Sequence, residues 1–136
     1  MFIISSYDVR GLDEYTNKML TKLSKEYPEK TRKFLEYQIG QCKAEAEYRT
    51  PKGKSKGRKK GKHLKDNWKT KITVKNGKAH AVLRNASPHA HLIENGHITK
   101  NGGWWEGKHM LENTMTHRQP QIDKAIDKLI DEVFDF

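Results

Sequence analysis

Four positions, His89, His91, Glu94 and His97, carry side chains that could bind a metal or move protons. In a helix His91 and Glu94 are i, i+3 neighbours on one face, and His97 follows just beyond Gly96, so three ligands could converge. The spacing matches no established zinc pattern, however, and no cysteine lies nearby to close the set. The sequence therefore favours histidines that cap and pack a turn. Neither a metal nor a cofactor is expected.

Nucleophilic catalysis needs an activated Ser, Cys or Thr beside a base that a third group orients. No Gly-x-Ser-x-Gly elbow, phosphate-binding loop or dinucleotide fingerprint is present. Lys52 to Lys62 contains glycines and lysines, but no strand pattern feeds it and no helix pattern follows, as a phosphate-binding loop requires. The single cysteine, Cys42, cannot form an internal disulfide and reads as a small core residue. The expectation is a protein without catalytic residues.

The 27 basic and 17 acidic residues give a net charge of +10, which suggests an anionic partner. The excess is local. Eight of the sixteen residues from Thr50 to Lys65 are Lys or Arg and none is acidic, leaving only +2 for the rest of the chain. Lys52, Lys54, Lys56, Arg58, Lys59, Lys60 and Lys62, interleaved with Pro51, Gly53, Gly57 and Gly61, have nothing apolar to bury and repel one another. They predict a mobile basic loop over residues 50–62. It is either a solvated spacer or an arm that contacts phosphate without reading bases, since it has no aromatic or amide side chain.

The elements that must position these residues are legible from periodicity. Leu12, Tyr15, Met19 and Leu23 form one amphipathic stripe, and Leu35, Ile39, Cys42 and Ala46 form another. Pro28 stands between them, where a helix start tolerates it. Helices are predicted near 11–27 and 28–49. Trp68, Ile72 and Val74, the Asn76-Gly77 turn and the return from Ala79 to Leu83 predict a β-hairpin. A short helix over 89–95 should stop at Gly96, and 98–105 is either a second hairpin or a loop. Ile122, Ile126, Leu129, Ile130 and Val133 mark a last helix, which either begins near Gln119 or runs from Met110 with a kink at Pro120. Trp104-Trp105 could stack on bases or anchor a protein contact, with at least one of the pair in a core or subunit contact.

Only 34% of residues are hydrophobic and 32% are charged, against about 45–50% apolar residues in an average soluble domain. The core must be thin. No apolar run approaches the roughly 20 residues of a membrane span, and Met-Phe-Ile-Ile lacks the features of a secretion signal. The expectation is one cytosolic domain, 1–136, of α+β class. Its helices should pack on one face of a small antiparallel sheet, with the basic loop before the first central strand.

Three stretches resemble the head-tail joining family of long-tailed phages, the gene-product-ten-like tail-completion proteins of siphophages and prophages. Gly61-Lys62-His63-Leu64-Lys65-Asp66-Asn67-Trp68 is similar to the family's Gly-x-Leu-x-x-Ser/Asn-[Trp/Ile] entry into its first strand. Ser87-Pro88-His89-Ala90-His91-Leu92-Ile93-Glu94-Asn95-Gly96-His97 follows its Ala-Pro-[His/Tyr]-Ala-x-Leu-[Val/Ile]-Glu-[Tyr/Phe]-Gly-[His/Thr] turn, although Asn95 replaces an aromatic. Gly107-Lys108-His109-Met110-Leu111 resembles the family's start to its last helix. The resemblance implies a structural, non-enzymatic protein that forms a homo-oligomeric ring, commonly a hexamer, where the tail meets the head. Its partners would be neck or stopper proteins and tail-tube or tail-terminator proteins, first in the host cytoplasm and then in the virion. Leu64, Trp68, His89, His91, Leu92, Glu94, Gly96, His97, Gly107 and His109 would serve fold or assembly. The seven cations of residues 52–62 would meet an anionic partner, DNA in the channel or an acidic protein surface. The competing reading is a nucleic-acid-binding or nuclease-type domain that uses the basic loop and the histidines. A toxin-like or regulatory basic protein is a third.

Overall fold

The computed structural model describes residues 2–4, 7–8, 14–51, 64–75, 77–88 and 90–134. The basic segment 52–62, Asn76 and His89 lie outside them.

Helix α1 spans Glu14–Glu26 and α2 spans Pro28–Arg49, as the two stripes predict, with 11–13 outside the described residues. The step between them is abrupt. Tyr27 N–H still donates to Leu23 O at 2.8 Å, and Thr31 N–H then donates to Tyr27 O at 3.0 Å. Pro28 therefore starts α2 where it has no N–H to leave unpaired. Leu20 and Leu23 of α1 and Leu35, Ile39, Cys42 and Ala46 of α2 are buried. Burial pushes the Cys42 thiol up to about 11, although the nearby Arg118 charge pulls it down, so at neutral pH it is a protonated filler.

Leu64–Asn67 makes one 3-10 turn into strand β3, Trp68–Lys75, which pairs antiparallel with β4, Lys78–Asn85. Their connection holds Gly77 at φ +77°, a conformation that glycine adopts without a Cβ penalty. Two short N-terminal strands that periodicity could not reveal complete the sheet. Phe2–Ile4 runs parallel to the second hairpin strand, and Tyr7–Asp8 is antiparallel beyond it. Numbered in chain order these are β1 and β2, and the spatial order is β2-β1-β4-β3. The sequence placed the central position at Trp68–Lys75. That strand is instead the edge, because Phe2–Ile4 takes the far side of β4.

Ala79, Ala81 and Leu83 of β4 and Trp68 of β3 are buried on the sheet face covered by α1 and α2. Trp68 also ties the sheet to the end of α2: its indole N–H donates to Thr50 Oγ1 at 2.8 Å, and that hydroxyl donates to Ala46 O at 2.6 Å. Helices thus pack on one face of a small, largely antiparallel sheet, the expected α+β class.

The remaining elements are α3, Ala90–Asn95, a separate two-stranded hairpin of β5, Gly96–Ile98, with β6, Trp104–Glu106, and α4, Met110–Phe134. The second hairpin settles the ambiguity over 98–105. Helix α4 runs continuously through Pro120, although an interior proline removes one backbone hydrogen bond and crowds the preceding turn. Packing holds both halves: Thr114 and Met115 before it, and Ile122, Ile126, Leu129 and Ile130 after it, are all buried. Among the described residues no helix is long and apolar enough to cross a membrane.

Candidate functional site

Glu94 and His109, two of the residues singled out from the sequence, meet where α3 ends and α4 begins. Two backbone bonds clamp that junction, Lys108 N–H to Ile93 O at 2.7 Å and His109 N–H to Glu94 O at 3.1 Å. The Glu94 side chain then reaches across to α4: Oε1 accepts the Leu111 N–H at 2.7 Å and Oε2 accepts the Glu112 N–H at 3.4 Å. The first N–H groups of a helix lack partners inside it, and a carboxylate there also meets the positive end of the helix dipole. Glu94 is therefore a remote N-cap for the last helix.

Two glycines allow the chain segments to approach. Gly96 has φ +89°, and a Cβ placed on it would lie 2.5 Å from Trp105 O and 2.8 Å from Gly107 N. A Cβ on Gly107 would collide with Glu94 O and lie 2.6 Å from Gly96 N. The left-handed conformation at the end of the short helix is present, and the missing Cβ lets the end of β6 and Gly107 pass close to the start of β5. Here His97 stacks on Trp105, ring centroids 5.2 Å apart.

His109 sits at the start of α4 with φ +48°, an uncommon conformation for a residue with a side chain. Its ring is held from both sides, with Nε2 at 2.8 Å from Glu106 and Nδ1 at 3.0 Å from Glu112. The hydrogen bond to Glu106, reinforced by the charges of Glu112, Glu106 and Glu94, holds the His109 pKa above its ordinary value. The same hydrogen bond, with one from Trp104, holds the Glu106 carboxyl below its usual range. Glu94, His109 and Glu112 place possible ligand atoms within 4.8 Å of one another. Each already serves the helix start or a neighbouring side chain, and the positive end of the α4 dipole points among them. What this group does is fix a helix terminus and orient the His109 ring between two carboxylates.

Sequence reasoning named Glu94 and His109 but missed Glu106 and Glu112, and with them the set. Its signal was the Glu106-x-x-His109-x-x-Glu112 spacing of threes, which the focus on His89, His91 and His97 passed over. The structure does not gather the histidines singled out: His91 is exposed, His97 packs on Trp105, and His89 lies outside the described residues. Leu64 packs against the core, and Leu92 is half-buried. A cleft of about 370 Å³ opens beside the junction, lined by Trp68, His91, Glu94, Met110 and Leu111 among others.

Residues 14–96 match the family described as "Bacteriophage HK97-gp10, putative tail-component". The chain belongs to this HK97-gp10-like family. The matched span runs from the first residue of α1 to the first residue of β5, and so takes in Leu64, Trp68, Glu94 and Gly96. No curated protein and no solved structure matches the chain. The HK97-gp10-like assignment makes it a component of a phage tail, with a structural role in virion assembly. Gly107 and His109 lie beyond the matched span, yet His109 is bonded to it through Glu94 O and Gly107 packs closely against the same carbonyl.

Proposed function

We propose that this phage tail component is a head-tail joining or tail-completion protein that acts as a subunit of a homo-oligomeric ring, six-membered by resemblance. The observation that carries the reading is the convergence of the three motif stretches. Trp68 from the first, Glu94 from the second, and Met110 and Leu111 from the third line one cleft, and Glu94 bonds the second to the third. Distant segments are spent on fixing a backbone junction, which suits a building block whose surface geometry must be reproduced in every copy.

The β5–β6 hairpin supports the same reading. Ile98 and Trp104 are directly opposed across its strands and are 72% and 61% exposed. Exposed large apolar side chains, tryptophan above all, commonly anchor protein contacts. Neighbouring subunits, neck or stopper proteins and tail-tube or tail-terminator proteins are the partners this reading supplies, with assembly in the host cytoplasm and residence at the head-tail interface. No catalytic step is assigned. The basic segment 52–62 would face the channel or a neighbouring protein.

Phage particles produced without this chain test the role. Micrographs should then show filled heads and separate tails; intact virions at normal yield would overturn it.

A further inference from the structure

Beyond the ring, the register of the main hairpin exposes a second surface. In a strand, alternate side chains point to opposite faces, and directly opposed residues of paired strands share a face. Trp68, Ile72 and Val74 of β3 and Ala79, Ala81 and Leu83 of β4 turn toward the core. The other face carries Lys69, Lys71, Thr73 and Lys75 from β3, opposed in register by Arg84, Val82, His80 and Lys78 from β4. Lys69, Lys71, Lys75, Lys78 and Arg84 are all exposed, and neither strand contains an acidic residue. Two pairs, Lys69 with Arg84 and Lys75 with Lys78, place like charges directly across the ladder, an arrangement that destabilises a sheet. Among the described residues no ion pair relieves any of the five.

We propose that the outer face of β3 and β4 is a docking surface for the phosphate backbone of double-stranded DNA. Lys69 to Lys75 spans about 20 Å of strand at roughly 3.3 Å per residue. A duplex presents one phosphate charge per ~1.7 Å of its axis, so about twelve phosphates pass along that length. The face has cations but no exposed aromatic or amide to read base edges, so contact is independent of sequence. An acidic protein fits less well, because protein interfaces are depleted in lysine and rely on aromatic anchors. On these two strands the only apolar side chain of the face is the half-buried Val82, whereas Ile98 and Trp104 lie on the separate hairpin. An anionic lipid surface would likewise be met by lysines beside an apolar wedge, and the face has none.

The test uses the full chain and a 30-base-pair duplex, with binding followed by fluorescence anisotropy across a range of salt. A variant with Lys69→Gln, Lys71→Gln, Lys75→Gln and Lys78→Gln is compared with a control that loses four exposed lysines elsewhere, Lys18, Lys33, Lys124 and Lys128. The face variant should bind at least about tenfold more weakly near 0.1 M salt, and its log–log salt slope should shrink by roughly three to four. The control should lose far less, and a scrambled duplex should bind as well as the first. The face variant should melt no lower than the parent, since it loses like-charge repulsion. Equal losses in face variant and control would overturn the proposal by reducing it to net charge. So would an unchanged slope, or binding to anionic vesicles or to an acidic protein that the face variant loses while its DNA binding is intact. Native mass read in parallel keeps this separate from the ring: a monomer that binds DNA through Lys69 to Lys78 leaves this proposal standing while the ring reading falls.

Discussion

Glu94 Oε1 accepts the backbone N–H of Leu111 at 2.7 Å across seventeen residues of sequence, so the last turn of one helix caps the first turn of the next. Losing an N-cap acceptor costs about 1 kcal/mol. Glu94→Ala should lower stability by roughly that amount, several degrees in melting temperature for a chain of this size, while Glu94→Gln, which keeps an acceptor oxygen, should recover most of it. Thermal melts of both variants check this. An alanine variant that melts with the parent would show that the cap contributes nothing.

Gly96 and Gly107 should tolerate no side chain. Gly96→Val combines a left-handed backbone with contacts of 2.5–2.9 Å to Trp105, Gly107 and Trp104, and should cost more than about 1 kcal/mol. Gly102, at φ +80° with open space around it, separates the two causes. Gly102→Ala should suffer only the backbone penalty, so Gly96→Ala should be the more damaging by chemical denaturation. Equal effects would remove the steric part of the argument.

The His109 cluster gives a signed pH dependence. Its folded pKa lies above the ordinary 6.5, so its contribution is fully present below about that value and is lost as pH rises through the folded pKa. Glu106 is held below 4.5, so its contribution is present above that value and is lost as pH falls through the folded one. The Glu45 carboxyl between α2 and α4 adds to the acid limb: burial raises it, but hydrogen bonds from His117 and Arg49 and the charges of His117 and Arg118 bring it below its usual value. His109→Gln should flatten the loss of stability above pH 6.5 and leave the Glu45 part of the acid limb in place. Unfolding free energies measured from pH 2 to 9 decide it; an unchanged alkaline limb would mean His109 does not titrate in this range.

The basic segment yields a separate expectation from sequence alone. Replacing Lys52, Lys54, Lys56, Arg58, Lys59, Lys60 and Lys62 with Ser should change stability by less than about 0.5 kcal/mol, as substitutions away from a core usually do, while weakening assembly or DNA association. A large drop in melting temperature would show that the segment is part of the packed fold.

What could be read beforehand was local. The Asn76-Gly77 signal located the first hairpin, the i, i+4, i+7 stripes located α2 and the end of α4, and Gly96 announced its own backbone conformation. Non-local relationships escaped. Phe2–Ile4 is too short to show a period, and its partner strand lies more than seventy residues away, so the edge position of β3 was hidden. Pro120 left open whether the last helix starts near Gln119 or runs from Met110, because the packing of Met115 and Ile122 that carries the helix through it is tertiary. The bond from Glu94 to Leu111 and the hold of Glu106 and Glu112 on His109 depend on a junction that spacing alone does not build. The cationic face needed the register of Lys69 against Arg84, which periodicity does not supply.

The central claim is that the chain acts by assembling, and native mass measured at several protein concentrations and salt levels tests it most directly. One closed oligomer, six subunits by the resemblance, should persist on dilution and be weakened by Trp104→Ala with the fold intact. A monomer under every condition, especially one that cleaves DNA with a divalent metal, would contradict the account.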